Sequence, residues 1–274
     1  MAQFDFGFTG YNNVKIYGKK DTIDNPKANI VIVHGIFEHL DRYDYLVSKL
    51  NESGYDVYRY DARCHGRSGG KKGNFDSFDV YLLDLDDFIS LVKRESDNLK
   101  TVLLGHSMGG LVATAYASTF PTKIDLLALS GACNKTPKSA KALAYIPTFI
   151  TSLFKYKNKL GDGVCSDASV VEKYNNDPLV LKEGSLKLMK KVFINGCEYV
   201  NNNIDKVCVP TLIMHGESDG IVVYNTGKWT YDNLKIEDKT LKMYEGLYHE
   251  IFNEVKKDEV IEDLINWIDE KIGG

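Results

Sequence analysis

The sequence predicts a doubly wound α/β domain, a mostly parallel sheet with helices on both faces and an inserted cap. Three observations carry that expectation. Short apolar runs alternate with amphipathic stretches along most of the chain, a glycine-flanked serine stands at a strand-to-helix junction, and the alternation breaks once, between Cys133 and Val207.

The elements follow in order. Phe4 to Phe8 and Val14 to Tyr17 alternate apolar with small or polar residues, the pattern of an antiparallel hairpin with one wet face. The rhythm then changes to strand, helix, strand, helix: Asn29 to Val33, Tyr43 to Leu50, Asp56 to Tyr60 and Val80 to Val92. Thr101 to Leu104, Ile124 to Leu129, Thr211 to Met214 and Thr240 to Tyr244 supply further strands, and Leu111 to Ala117 reads as a helix. Ile251 to Ile272 carries apolar residues at helical spacing and closes the fold. Residues 1–133 and 207–274 therefore form the core, and 134–206 the cap. Within the cap, Ala140 to Leu153 holds Leu143, Tyr145, Ile146, Phe149, Ile150 and Leu153, with Pro147 interrupting any single helix. Those residues either pack the cap onto the core, line a passage for an acyl chain or touch a lipid surface.

Length and composition narrow the function. The chain of 274 residues is long enough for a full core with one active site. Lys and Arg total 34 against 38 Asp and Glu, a net charge of −4 without a dense basic block, which argues against a nucleic-acid partner. The start, Met1-Ala2-Gln3-Phe4-Asp5-Phe6-Gly7, lacks a basic, apolar leader pattern, and no later run reaches the length of a membrane span, so a soluble cytoplasmic protein is expected. The five cysteines (Cys64, Cys133, Cys165, Cys197, Cys208) are scattered and lack C-x-x-C spacing, which suits reduced packing thiols. His34 and His39 do not make the H-E-x-x-H pattern, and no Cys/His cluster has zinc spacing, so neither metal nor cofactor is expected.

Gly105-His106-Ser107-Met108-Gly109 carries the chemistry. A serine in so tight a turn projects its hydroxyl from the sheet edge, and the flanking glycines leave the turn room. The hydroxyl needs a base to become a nucleophile. Of six histidines, His106 adjoins the serine and points away, His34, His65 and His215 sit in His-Gly turns, and His39 belongs to the loop after His34. His249 remains, after the last strand and before the closing helix, at the sheet edge where open α/β sheets build their sites. The orienting carboxylate should lie between serine and histidine in chain order; Asp219 fits, with Glu217 as the competitor on the same loop. Donors for a developing oxyanion should be the backbone N–H groups of Met108, at the helix start, and Ile36, in the loop after the Asn29 to Val33 strand.

At this point a resemblance becomes specific. His34-Gly35-Ile36-Phe37-Glu38-His39-Leu40-Asp41-Arg42-Tyr43 resembles the H-G-x-x-E-H-x-x-R-Y stretch of the monoacylglycerol lipase and lysophospholipase family of α/β hydrolases. Asp61 to Gly70 is similar to that family's D-x-R-x-H-G-x-S-x-G loop, Gly105 to Gly110 to its G-H-S-M-G-G elbow, and Tyr174 to Leu179 to its Y-x-x-D-P-L segment. The four ordered motifs span nearly the whole chain, although most of the cap does not match closely. The resemblance implies an α/β-hydrolase fold. It also implies cofactor-free hydrolysis of a monoacylglycerol or similar single-chain lipid ester through an acyl-serine intermediate, with Ser107, His249 and Asp219 as the triad. By position, Glu38, Arg42 and Tyr174 match polar residues near the glycerol end. Equally, Glu38 and Arg42 could pair at i, i+4 and Tyr174 could anchor the cap. Asp61 and His65 read as braces beneath the elbow. A lysophospholipase or small-ester carboxylesterase is the alternative within the enzyme class, with an acyltransferase more distant; a non-catalytic ligand receptor is the alternative outside it. The expected partner is a small lipid ester, with transient membrane-surface contact through the cap.

Overall fold

The computed structural model describes residues 2–96 and 98–273. The chain opens with a hairpin, β1 (Ala2–Gly10) and β2 (Val14–Thr22). There follow β3 (Ala28–Val33), α1 (Asp44–Glu52), β4 (Tyr55–Tyr60), α2 (Asp79–Glu95), β5 (Thr101–His106), α3 (Met108–Thr119) and β6 (Leu126–Ser130). After the insertion come β9 (Thr211–Gly216), α9 (Asn225–Asn233), β10 (Lys239–Tyr244) and α10 (Lys257–Ile272). These eight strands form one sheet in the order β1-β2-β4-β3-β5-β6-β9-β10. The β1–β2 and β2–β4 pairs are antiparallel; every other pair is parallel.

Side chains alternate across the pleat, and the two faces of the sheet meet different layers. Val31, Val33, Tyr58, Tyr60, Leu103 and Leu127 pack with Leu85, Phe88 and Ile89 of α2 and Leu111, Ala115 and Tyr116 of α3. Their neighbours Ile30, Ile32, Val57, Val102 and Leu104 face the other way, onto Leu46, Val47 and Leu50 of α1 and Val260, Leu264 and Ile268 of α10. Strands covered on both faces read as unbroken apolar runs, which is why these segments were legible without alternation. Each buried aliphatic side chain stabilises the fold by about 1.5–3 kcal/mol.

The strand order reverses at β3, whose neighbours are β4 on one side and β5 on the other. Such a reversal leaves a crevice at the carboxyl ends of the two central strands, because their following segments depart to opposite faces. Ser107 and the His34–Phe37 loop both lie there.

Between β6 and β9 the chain leaves the sheet. A 3-10 stretch, Lys138–Tyr145, ends before Pro147, and α4 (Thr148–Thr151) restarts after it, as the proline predicts. Further along lie α5 (Gly161–Val164), α6 (Ala168–Asn176), α7 (Leu186–Lys190) and α8 (Cys197–Asn203), the last two joined through a π-helical Lys191–Gly196. A small antiparallel pair, β7 (Lys155–Lys157) with β8 (Glu183–Ser185), was not anticipated; its strands are three residues each and far apart in sequence.

Two further boundaries depart from expectation. The closing helix starts at Lys257 rather than Ile251, because buried Glu254 accepts from Tyr248 N, Ser166 N and Ser166 Oγ and thereby fixes the preceding residues in turns. Helix α9 went unseen because its inward face carries Thr226 and Thr230 rather than an apolar stripe; Thr230 Oγ1 accepts from buried Asn134. No helix among the described residues is long and apolar enough to cross a membrane.

Candidate active site

Ser107 occupies the one-residue junction between β5 and α3 with φ 53° and ψ −116°, a conformation that non-glycine residues adopt only under restraint. The restraint is visible. Ser107 N donates to Ser130 O at 2.9 Å, and Ser107 O accepts from Leu111 N at 3.1 Å and Cys133 N at 3.2 Å. The elbow glycines are required by close approach: a Cβ on Gly105 would lie 2.4 Å from Gly109 O, and one on Gly109 would lie 2.0 Å from Val33 O. Helix α3 therefore seats its first turn directly on the end of β3, and only residues without side chains permit it.

His249 and Asp219 come from separate loops at the same sheet edge. His249 Nδ1 lies 2.7 Å from Asp219 Oδ2, and both groups are buried. Asp219 Oδ1 accepts from Ile221 N and Val222 N at 2.8 Å each, and His215 Nε2 sits 3.2 Å from Oδ2. Burial alone would raise the Asp219 carboxyl, but the His249 imidazole and the His215 and His249 hydrogen bonds outweigh it and hold the carboxyl well below its usual range. Burial alone would depress His249; the charge and hydrogen bond of Asp219, with help from Glu250 and Glu38, raise it above the ordinary imidazole value. Glu217, the competing acid, is exposed. His106 is closer to this pair than the sequence suggested, with ring centroids 4.7 Å from His249. Burial and neighbouring His249 hold His106 well below the usual imidazole value, so it stays neutral.

The loop after β3 brings the backbone to Ser107. A Cβ on Gly35 would lie 3.0 Å from Ser107 Cβ, and Phe37 turns the chain with φ 70°. His34 Nε2 accepts from Ala62 N at 2.8 Å, which places its proton on Nδ1, 2.7 Å from Gly35 O. Asp61 accepts from Leu40 N and Arg67 N, and the His34 and His65 rings meet edge to face at 5.4 Å. Asp61 and His65 thus sit beneath the loop as braces. Ile36 lines the same cavity as Ser107. Met108, as the first residue of α3, has an N–H without a helical acceptor, at the positive end of the helix dipole.

Glu38, Arg42 and Tyr174 do come together, with one residue the sequence reading missed. Arg42 Nε lies 3.3 Å from Glu38 Oε2, its other end bonds Glu250, and its guanidinium stacks 4.7 Å from the Tyr174 ring centroid. Glu38 Oε1 accepts from Gly35 N at 2.5 Å and Tyr43 Oη at 2.9 Å. Burial, then the charge of Glu250, pushes the Glu38 carboxyl up to about 7. His39 Nε2 lies 2.8 Å from Asp177. The Y-x-x-D-P-L segment therefore docks on the E-H-x-x-R-Y stretch, a meeting that explains both motifs. None of the three expected substrate contacts lines the cavity at Ser107; Glu38 accepts from Gly35 and Tyr43, Tyr174 Oη accepts from Asn158 Nδ2, and buried Arg42 Nε is left without a hydrogen bond among the described residues. Glu250 was invisible in the sequence, since an acid following a histidine signals nothing until Arg42 is placed opposite.

The cavity beside Ser107 holds about 240 Å³ and is mostly apolar, with Leu143, Tyr156, Leu186, Met189 and Phe193 from the insertion facing Ile36. A groove of about 1020 Å³ adjoins it across Pro137, Ser139 and Val222, running past Asp219 and Trp229. Other apolar residues of the insertion point outward: Tyr145 is 90%, Phe149 72% and Leu153 75% exposed.

Comparison with known proteins agrees with this frame. Residues 24–256 match the family model described as serine aminopeptidase, S33. The chain is 30% identical over 270 residues to the monoacylglycerol lipase of Mycolicibacterium smegmatis, covering 96% of each chain. It is 29% identical over 254 residues to the monoglyceride lipase of Rattus norvegicus, covering 90% of this chain and 84% of that one. The crystal structure of Paleococcus ferrophilus monoacylglycerol lipase superposes with a TM-score of 0.80 at 29% identity, covering 93% of this chain and 99% of the other. The chain belongs to this monoacylglycerol lipase-like family of α/β hydrolases and is a hydrolytic enzyme.

Proposed function

We propose that the protein cleaves the ester of monoacylglycerols or similar single-chain lipid esters through an acyl-serine intermediate. The observation that carries the reading is the buried Asp219–His249 pair at the sheet edge where strained Ser107 meets an apolar cavity. The relatives named as monoacylglycerol lipases support the substrate class.

In this reading His249 Nε2 takes the proton of Ser107 Oγ as the oxygen attacks the ester carbonyl, and Asp219 holds the imidazole tautomer and stabilises the imidazolium. The Ile36 and Met108 N–H groups receive the oxyanion. The tetrahedral adduct collapses as His249 returns the proton to the leaving alcohol. A water molecule, deprotonated by the same imidazole, then releases the fatty acid and regenerates Ser107. The acyl chain occupies the apolar cavity under the 134–206 insertion, which acts as the cap. Glu38, Arg42 and Tyr174 are assigned to the frame of the site, because they contact one another outside the cavity beside Ser107.

The cap tip adds a lipid-surface contact. Tyr145, Phe149, Leu153 and Phe154 are exposed, and Lys135, Lys138, Lys141, Lys157 and Lys159 around them make no salt bridge among the described residues. Residues 134–160 contain no acid in a chain of net charge −4, so the tip suits an anionic lipid surface.

The test is turnover of monoacylglycerols and lysophosphatidylcholines of matched chain length, with Ser107→Ala as control. Preference for the glycerol esters and loss of about a million-fold in the variant are expected. Near-normal activity of Ser107→Ala would refute the mechanism, and a preference for the choline headgroup would move the enzyme to the lysophospholipases.

A further inference from the structure

We propose that Glu250 is a positioning residue for the reaction, acting through Arg42 and Glu38 as a clamp between the oxyanion loop and the loop that carries His249. The inference rests on the reading of Ser107 as nucleophile and His249 as base.

The clamp is a short, buried path. Glu38 fixes the Gly35 N–H, one residue before the proposed donor Ile36. Arg42 joins Glu38 to Glu250, whose backbone is continuous with His249. All three side chains are at most 7% exposed. Glu250 is itself anchored, its N–H donating to Val164 O at 2.7 Å and its Oε2 accepting from Asn253 Nδ2 at 2.8 Å. Tyr174 closes the cluster from the cap side.

A buried ion cluster is a poor device for stability, since desolvating the charges offsets most of their attraction. Its strength is geometric. A planar guanidinium hydrogen-bonded to Glu250 and held as an ion pair 3.3 Å from Glu38 restricts distances and angles that a pair of apolar side chains leaves free. Here the two ends so held lie one residue from the proposed oxyanion donor Ile36 and the base His249, which must keep their separation as the tetrahedral adduct forms. The cluster also carries two carboxylates for one guanidinium. The charged and titratable groups around His249 are Asp219, Glu250, Glu38 and His106, with His215 behind Asp219 and Arg42 behind Glu250. Removing the Glu250 charge withdraws one of the negative charges that favour the imidazolium.

The experiment compares Glu250→Gln, Arg42→Lys and the wild type on a soluble p-nitrophenyl butyrate substrate, recording kcat, KM, the pH profile of kcat/KM and thermal melting. For Glu250→Gln the expected result is a fall in kcat of about tenfold or more with KM within about twofold, because displaced catalytic groups lose rate rather than binding. The acid limb of its profile moves to lower pH, since the base then protonates less readily. Arg42→Lys also lowers kcat, because an ammonium lacks the planar, spaced donors with which the guanidinium reaches the two carboxylates. Unchanged kcat and an unmoved acid limb, with the loss confined to the melting temperature, overturn the proposal and leave a structural brace. If Glu250→Gln does not fold, Asn253→Ala loosens Glu250 at the cluster edge; a fall in kcat at unchanged KM supports the clamp, and unchanged kcat overturns it. Labelling of wild-type Ser107 by a fluorophosphonate keeps the two readings apart. An unlabelled serine sinks the mechanism itself, whereas a labelled serine with an unaffected Glu250→Gln sinks only the clamp.

Discussion

Asp219→Asn isolates the orientation of the base from every other feature of the site. Asp219 Oδ1 accepts two backbone N–H groups, from Ile221 and Val222 at 2.8 Å each. An asparagine in the same place must keep its carbonyl oxygen there, because an amide NH₂ cannot accept from those donors. Its NH₂ then occupies the Oδ2 position, 2.7 Å from His249 Nδ1. That nitrogen becomes an acceptor, the ring proton moves to Nε2, and the nitrogen facing Ser107 can no longer take its proton. The wrong tautomer costs about 10⁴ in kcat in a serine triad of this design, equivalent to about 5 kcal/mol of transition-state stabilisation. The loop itself keeps its backbone hydrogen bonds, so stability should change little by comparison. Turnover of a soluble ester at pH 8, alongside a thermal melt, checks both halves. A variant within tenfold of wild type, or an equal loss in Glu217→Gln, would refute the assignment of the orienting carboxylate.

Two other expectations follow from close contacts and from the surface. Gly109→Ala drives a Cβ to within 2.0 Å of Val33 O and 2.6 Å of His34 O, both backbone atoms that cannot step aside. Helix α3 must withdraw from β3, at a cost of about 1–3 kcal/mol; a melting temperature equal to wild type would contradict it. At the cap tip, a Tyr145→Ser/Phe149→Ser variant should lose binding to vesicles containing phosphatidylglycerol while keeping its kcat on p-nitrophenyl butyrate. The wild type should bind those vesicles more tightly than pure phosphatidylcholine, and less so as salt rises. Equal binding to both compositions would remove the role of the lysines.

Local rules made much of this molecule readable in advance. The glycines at 105 and 109 are demanded by contacts within a few residues of the elbow or on the adjoining strand end, and the core strands announce themselves because both faces are covered. Chain order and the sheet edge singled out Ser107, Asp219 and His249 as candidates that the fold then places on neighbouring loops, with Asp219 buried against the imidazole and Glu217 left at the surface. What tertiary structure alone decided are the contacts between segments distant in sequence. Arg42 and Glu250 are separated by 208 positions, and nothing in either neighbourhood foretells the pairing. The β7–β8 pair and the polar inner face of α9 were hidden for the same reason, since their partners lie elsewhere in the chain. Glu38, Arg42 and Tyr174 show the boundary most sharply. The resemblance matched them by position to polar residues near the glycerol end, but a carboxylate or guanidinium can bind a substrate or another side chain equally well. Only the folded arrangement shows them meeting one another, Arg42 between Glu38 and the Tyr174 ring, outside the cavity beside Ser107.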